Sequence, residues 1–345
     1  MVLDPHTFDL APRAGELLSE LAGDPRFKPE LVAAQIELVT TPSETVGQAA
    51  TQLRDGRERL AHAAAGKVAL AGAGAHPFTS EEGVLNDAAR YAHTRSEYGW
   101  VARRQLVFGL HVHVRVSGAD RAVAVYNGLR SYLPEIAGLA ANAPFYTGAD
   151  TGLASIRPKI SEKLPRQGVP PPLAGLEDLA QALSWGTRAG ALAEPRTWWW
   201  ELRLHPLHGT VEVRVPDQQS TVAETAAIAA VAQSLVCHLA ARYDGGEALA
   251  GRPTWRIEEN RWSACRHGLD GTFADLETGE PGPARQRVHD LLSELEGTAS
   301  RLGCVDELAA ARRLAERSGA QRQREAASDG GARAVARYLA ARFSD

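Results

Sequence analysis

The chain has 345 residues, of which 44% are hydrophobic and 23% charged, with a formal net charge of −4. This composition predicts a soluble globular protein with a sizeable core, and the charge argues against a general binder of nucleic acid. Cys237, Cys265 and Cys304 are odd in number and widely spaced, which favours a reducing compartment over a disulfide framework. Neither a signal peptide nor an apolar stretch of about 18 residues is evident, so we expect a cytoplasmic protein without a membrane span.

Periodicity and turn residues predict short strands interspersed with long helices. The predicted elements, in chain order, are a strand at 35–39, a helix to about residue 65, a strand at 67–71, a helix at 86–103, a strand at 105–116, a helix at 119–141, a loop at 142–174, a helix at 175–193, strands at 198–205 and 209–216, a helix at 220–241 and helices from 285 to the end. Thr41-Pro42-Ser43-Glu44 is expected to cap the first helix, and Pro134 to kink the one at 119–141. The mixture favours an α+β protein, and we treat residues 1–345 as a single domain with a helical C-terminal part from about 285.

Four of the predicted strands have one apolar face and one face that bears Glu, His or Arg, because alternate residues of a strand point to opposite sides of a sheet. The polar sets are Gln35, Glu37 and Val39; Val107, Gly109, His111, His113 and Arg115; Trp199, Glu201, Arg203 and His205; and Thr210, Glu212 and Arg214. If the four strands share one sheet, these sets form a single polar face beside an apolar core.

Such a face has the equipment of a phosphoryl-transfer site. Carboxylates with a histidine suit Mg²⁺ or Mn²⁺, and arginines suit phosphate oxygens. His111 and His113 are the first candidates for metal binding. The alternative is a solvent-facing antiparallel sheet, which also alternates apolar and polar residues and explains any one of these strands taken alone. Cupin, zinc-hydrolase and Walker-type sites are disfavoured, since their further residues are missing from the sequence.

Several motifs resemble the carboxylate–amine ligases of the bacterial type 2 glutamate–cysteine ligase group, in order and spacing, from about residue 2 to the C-terminus. They are Gln35-Ile-Glu-Leu-Val-Thr-Thr-Pro42, Glu97-Tyr-Gly99 through Ala102-Arg-Arg-Gln-Leu-Val107, Gly109-Leu-His-Val-His-Val114, Asn142-Ala-Pro-Phe145, Asp150-Thr-Gly152, Gly209-Thr-Val-Glu-Val-Arg-Val215 and Glu259-Asn-Arg-Trp262. The resemblance implies a largely antiparallel catalytic sheet like that of glutamine synthetase, flanked by helices. It also implies that ATP phosphorylates a carboxylate and that an amine then displaces phosphate from the acyl phosphate.

By the same resemblance, five residues take catalytic or metal-binding roles. Glu37 would bind one metal ion, and His111 and Glu212 would bind a second, the metal being Mg²⁺ or Mn²⁺. Arg214 would stabilise the transferring phosphoryl group or the acyl phosphate. Arg203 would meet a substrate carboxylate.

Four further residues are candidates for contacting the nucleotide. The resemblance would place His113 near the nucleotide phosphates. Arg115 stands where the family usually has a small residue, and it adds positive charge next to His113. Asn260 and Arg261, near the start of a predicted helix, could contact nucleotide or substrate.

Two other positions depart from the family pattern. Family members normally begin with a strand of the type Gly-Val-Glu-Glu-Glu-Phe followed by Leu-Val-Asp-Pro. This chain begins Met1-Val-Leu-Asp-Pro5, so we expect it to start just after that strand, without the acids that would supply one ligand to each metal. Glu201 stands where an aspartate is more usual, which could alter substrate choice.

Two functions are therefore predicted. The first is an ATP- and Mg²⁺-dependent ligase that joins a carboxylate, taken as the γ-carboxylate of glutamate, to an amine such as cysteine. Its partners would be small-molecule amino acids, and the family suggests a homodimer. The second is a non-catalytic relative that binds a ligand or serves as a structural subunit.

Overall fold

The computed structural model describes residues 1–192, 198–249 and 251–345. Within them the helices are α1 (Ala14–Glu20), α2 (Val46–Ala64), α3 (Ala92–Arg103), α4 (Ala119–Arg130), α5 (Leu133–Leu139), α6 (Arg157–Ser161), α7 (Leu176–Arg188), α8 (Val222–Asp244), α9 (Thr254–His267), α10 (Ala284–Leu302), α11 (Val305–Glu316), α12 (Gly319–Ala327) and α13 (Gly331–Ala341), with a short 3₁₀ turn at Ala89–Tyr91. The strands are β1 (Val2–Leu3), β2 (Phe27–Pro29), β3 (Ile36–Leu38), β4 (Ala69–Leu70), β5 (Val112–Arg115), β6 (Phe145–Tyr146), β7 (Ala149–Asp150), β8 (Leu202–His205), β9 (Thr210–Val213), β10 (Thr272–Ala274) and β11 (Pro281–Pro283). All pairs of these strands are antiparallel, which confirms the predicted α+β class.

A three-stranded sheet in the order β5-β9-β8 supports the candidate site. The predicted hairpin between β8 and β9 is confirmed, and its register places Leu202 opposite Val213 and Leu204 opposite Val211. These side chains join a buried apolar cluster that includes residues of α4 and α8. Burying a valine or leucine stabilises the fold by roughly 1.5–3 kcal/mol, so the apolar face fixes which side of the sheet carries the polar residues.

The fourth polar strand does not belong to this sheet in the described residues, so the condition that all four strands share one sheet is not met. In the described residues β3 pairs with β2 alone, with Glu37 opposite Lys28. The pairing partner, residues 27–29, is a short segment with a proline, and its sequence carries little strand signal. Alternation identified the faces of β3 correctly as a local pattern, but it contains no information on which strand lies beside it.

Helix α8 lies at the centre of the core. Its N-terminus is closed by a capping box in which Thr221 and Glu224 satisfy each other's backbone donors. Its alanine-rich surface lets α2, α4, α10 and α11 pack closely around it. By length and composition α8 could also cross a membrane, but 67% of its most apolar window is buried in the protein, as is usual for the core helix of a globular fold.

Several predicted element boundaries shift in the structure. Thr45, not the Thr41–Glu44 segment, caps α2, because its side chain accepts a hydrogen bond from the Gln48 N–H. Pro134 does more than kink a helix: it stands in the first turn of α5, separate from α4, where its missing N–H costs no hydrogen bond. The loop at 142–174 contains the β6–β7 hairpin and α6. The predicted end of the helix at 175–193 lies outside the described residues, and α7 ends at Arg188.

The two ends of the chain meet at a buried arginine on α2. Arg57 donates hydrogen bonds to the carbonyls of Ser220 at 2.7 Å and Phe343 at 3.1 Å. The Phe343 side chain packs in the same apolar cluster as Val2. The residues after α13 are thereby joined to the N-terminal elements and to the start of α8.

Glu135 in α5 is a buried carboxyl that should make stability depend on pH. It is 5% exposed, and one of its oxygens has no hydrogen-bond partner among the described residues. Burial raises its pKa from 4.5 to about 7, and the attraction of Arg287, whose Nε lies 3.5 Å away, only partly opposes this. A folded-state pKa above the unfolded value means that stability is fully present below about pH 4.5 and is lost as the pH rises through about 7.

We expect Glu135→Gln to remove this dependence. The unfolding free energy of the variant minus that of the wild type should be about 3 kcal/mol larger at pH 8 than at pH 4. Urea unfolding at both pH values measures the gain, with the exposed Glu280→Gln as the control. An equal difference between variant and wild type at the two pH values would contradict the assignment.

Candidate active site

The polar face of the three-stranded sheet is built from three rows of three residues. Each row takes one residue from the β5 segment, one from the β9 segment and one from the β8 segment. The rows are Arg115, Thr210 and His205; His113, Glu212 and Arg203; and His111, Arg214 and Glu201. We call these nine residues the polar face. The predicted alternation of the three strands is therefore confirmed. Seven of the nine side chains contact one another in one patch, all except Arg115 and Glu201.

A β-bulge shapes the end of the polar face at Arg214. Val112 pairs with Val213, and the next bridge joins Gly109 to Asp217, so three residues of one strand oppose two of the other. Bulges bend a strand and re-aim its side chains. Here the Arg214 guanidinium turns toward both His111 and Glu212.

Glu212 is the centre of the polar face. Its side chain is 1% exposed and is held by two arginines: Arg214 Nη1 donates to Oε1 at 2.5 Å, and Arg203 Nε donates to Oε2. Burial opposes its charge, but the attraction of Arg214 and Arg203 outweighs burial and holds the pKa of Glu212 far below its ordinary value. Glu212 is therefore an anion at neutral pH that fixes the positions of two guanidinium groups.

His111 and His113 flank the same carboxylate. His111 Nδ1 lies 3.8 Å and His113 Nε2 lies 3.6 Å from Glu212 Oε1. Loss of contact with water, together with the Arg214 guanidinium, lowers the pKa of His111 well below 6.5. Loss of contact with water also lowers the pKa of His113 to about 4, despite the nearby Glu212. Both side chains stay partly exposed, at 35% and 37%, and the lowered pKa values favour the neutral imidazole, which can offer a lone pair.

Two further histidines extend the site beyond His113: His205, which alternation places on the polar side of its strand, and His208, which the sequence analysis did not single out. Their rings stack at 4.2 Å, and the His113 ring meets both edge-on at 5.5 and 5.7 Å. Thr210 contacts His113 Nδ1 through its hydroxyl at 2.9 Å. The hairpin turn thus supplies an aromatic wall at the end of the polar face where Arg115 is exposed.

Arg157 and Asp217 support the other end of the polar face, beside Arg214. The sequence analysis did not predict these roles. Arg157 donates to the carbonyls of Arg214 at 2.9 Å and Val215 at 3.1 Å, and its guanidinium lies 3.7 Å from Asp217. Asp217 in turn accepts hydrogen bonds from the Asn142 N–H and the Ser155 hydroxyl. The sequence offered one signal for Asp217, which is an aspartate directly after the predicted strand at 209–216.

Gly109 is needed here for space, not for an unusual backbone angle. A Cβ at this position would lie 2.6 Å from Arg157 Nη2 and 3.3 Å from His111 Nε2. Any larger residue would push the guanidinium away from the bulge. The glycine beside the two histidines is therefore part of the site.

Two predicted nucleotide ligands turn out to be engaged elsewhere. The Asn260 side chain exchanges two hydrogen bonds with the backbone of Ala274, at 2.7 and 2.8 Å, and so ties α9 to β10. Arg261 is buried and grips Glu201 with Nε and Nη2 at 2.7–3.1 Å. Asn260 therefore faces β10 and Arg261 contacts the polar face at Glu201, and nucleotide binding by either residue stays a prediction.

Glu37 is not joined to the other predicted metal ligands. It lies in the β2–β3 sheet, where Glu30 and Arg90 experience its charge, and no described hydrogen bond or ion pair links it to His111 or Glu212. No group of three or more His, Cys, Asp or Glu side chains in residues 1–192, 198–249 and 251–345 has an arrangement that could hold a metal ion. Both oxygens of Glu212 are engaged by arginines, so the donor set as arranged does not fit the predicted metal centre.

The polar face does fit an anion. The buried Nε of Arg214 has no hydrogen-bond partner among the described residues, although it is a donor on a charged group. Arg115, nearby on the same face, forms no described ion pair and is exposed. Guanidinium groups held in fixed positions suit phosphate oxygens.

A family profile and individual relatives place this chain in the same family. Residues 2–336 match the sequence profile of glutamate-cysteine ligase family 2 (GCS2). A Thermobifida fusca protein named "Putative glutamate--cysteine ligase 2" is 38% identical over 298 residues, which cover 85% of this chain and 75% of that protein. A Rubrobacter xylanophilus protein named "Putative glutamate--cysteine ligase 2-3" is 36% identical over 348 residues, which cover 98% and 93%.

Solved structures show the same fold at much lower identity. The glutamate–cysteine ligase of Francisella tularensis in complex with AMP superposes with a TM-score of 0.68 at 14% identity, covering 98% of this chain and 85% of that one. The bifunctional glutathione synthetase of Pasteurella multocida superposes with a TM-score of 0.70 at 13% identity, covering 93% of this chain and 48% of that one.

Proposed function

Because this chain belongs to glutamate-cysteine ligase family 2, we propose that it is an ATP-dependent ligase that forms an amide bond between a carboxylate, the γ-carboxylate of glutamate, and an amine. The single observation that carries the proposal is the Arg203–Glu212–Arg214 arrangement with the unpartnered donor of Arg214. The solved Francisella relative was crystallised with AMP, which agrees with adenine-nucleotide use.

In the proposed reaction the carboxylate oxygen attacks the γ-phosphorus of ATP, and the bond to the ADP oxygen breaks. The amine nitrogen then attacks the acyl carbon, the phosphate leaves with its electron pair, and the amine loses a proton. Negative charge grows on the transferring phosphoryl group and later on the leaving phosphate. Arg214 would meet that charge, and a preorganised donor of this kind contributes on the order of 10²–10³ in rate.

The neighbouring residues would orient these groups. Glu212 holds Arg203 and Arg214 apart at fixed positions. By the family resemblance, Arg203 would meet a substrate carboxylate. His111 and His113 are neutral, so they add no positive charge that would pair with phosphate but can accept or donate hydrogen bonds. The described donor set does not fit a divalent ion, and the test below measures dependence on Mg²⁺ or Mn²⁺.

The test is amine-dependent release of ADP and phosphate from ATP and glutamate, with Mg²⁺, Mn²⁺ or EDTA in parallel. Hydroxylamine, which traps an acyl phosphate as a hydroxamate, replaces the amine in a second arm. We expect glutamyl hydroxamate from the wild type and a loss of at least 100-fold in His111→Ala. Nucleotide binding without any hydroxamate would instead favour a non-catalytic, ligand-binding relative.

A further inference from the structure

A cavity of about 360 Å³ opens at the Glu201 end of the polar face. It lies between α6, the segment 167–169 and α9, and Glu201 is one of its lining residues. The Glu201 carbonyl accepts the backbone N–H of Arg214 at 2.8 Å, so the backbone of the cavity wall is joined to that of Arg214. Its size is at the lower end of the range for small-molecule sites.

The charged groups of the lining leave one carboxylate without a partner. Arg261 is committed to Glu201, and Lys159 Nζ lies 2.9 Å from Glu162. Glu258 forms no hydrogen bond or ion pair with any described residue, and partial burial with the nearby Glu162 and Glu201 raises its pKa. Three carboxylates against two cations give the lining one net negative charge.

An aromatic ring forms another wall. Trp262 is 47% exposed, and Lys159 Nζ lies 5.2 Å from the centre of its ring. The indole therefore already faces one ammonium group, and a cation over an indole gains about 0.5–2 kcal/mol. A positively charged ligand would meet Glu258 and this ring together.

We propose that this cavity binds the amine co-substrate and selects an amine that lacks a carboxylate, with its ammonium group toward Glu258 and its body along Trp262. The role of this amine as a co-substrate rests on the proposed ligase function, whereas the predicted binding preference does not depend on it. An α-amino acid such as cysteine would bring a carboxylate into a lining whose two cations are both paired. That carboxylate would lie near Glu162, Glu201 and Glu258 without a cation of its own.

Cysteamine and cysteine differ only in this carboxylate, and they provide the probe. Calorimetric titration of the full chain with each amine should give at least tenfold tighter binding of cysteamine, which is 1.4 kcal/mol. Glu258→Gln should weaken cysteamine binding about tenfold and remove the preference. Glu259→Gln, an exposed glutamate on the same helix, is the control and should change either affinity less than twofold.

The kinetic arm separates this inference from the proposed function. In the wild type, kcat/KM should be higher for cysteamine than for cysteine. Glu258→Gln should reduce turnover with cysteamine, and the control Glu259→Gln should leave both that turnover and hydroxamate formation unchanged. Absence of hydroxamate from the wild type would overturn the ligase proposal alone. Equal or tighter binding of cysteine, or an unchanged preference in Glu258→Gln, would overturn the cavity assignment.

Discussion

Glu212→Gln is expected to lower kcat/KM for amine-dependent ADP release by on the order of 10²–10³ and to destabilise the fold by about 3 kcal/mol. The side chain keeps its volume, so the effect comes from charge alone. Glu212 is 1% exposed and is the shared partner of Arg203 and Arg214. Without it, two guanidinium groups face each other with no counter-charge, and Arg214 leaves the position from which it would meet phosphate.

Steady-state kinetics and urea unfolding measure the two effects separately. Glu212→Asp keeps the charge on a shorter side chain, and it should recover more stability than activity because the guanidinium positions depend on reach. Glu280→Gln, an exposed change of the same type, should alter neither. Turnover within threefold of wild type in Glu212→Gln would remove Glu212 from the centre of the site.

Arg261→Met is expected to destabilise the protein by about 3–5 kcal/mol, because it leaves Glu201 as a buried charge without its partner. Both residues are 8% exposed, and three hydrogen bonds join their side chains. This pair connects α9 to the start of β8, and therefore holds the wall of the cavity beside the polar face.

A double-mutant cycle distinguishes the pair from general packing. Glu201→Gln combined with Arg261→Met removes both charges, and its unfolding free energy should return to within about 1 kcal/mol of the wild type. The measurement is urea unfolding of the four proteins at pH 7. If the double variant loses as much unfolding free energy as the two single variants together, Glu201 and Arg261 are not energetically coupled.

The strand at 105–116 illustrates how far sequence reasoning reaches in this protein. Its alternation correctly predicted that His111, His113 and Arg115 share one face and that Val114 is buried. It overestimated the strand, because the backbone around Gly109 forms only isolated bridges and a bulge instead of a continuous ladder. A bulge depends on the partner strand, and a single strand's pattern does not contain it.

Sequence patterns were sufficient to predict the apolar and polar faces of each strand, the hairpin between β8 and β9, the central alanine-rich helix and the family. These follow from side-chain periodicity and from turn and cap residues, which act over a few positions of the chain. Other contacts are visible only in the folded chain. Glu37 lies in another sheet, Asn260 and Arg261 join α9 to Ala274 and Glu201, and Arg157, paired with Asp217, donates to the Arg214 carbonyl. Such contacts join residues far apart in the chain, and their pairing is fixed by the packing of the whole core, which local patterns do not encode.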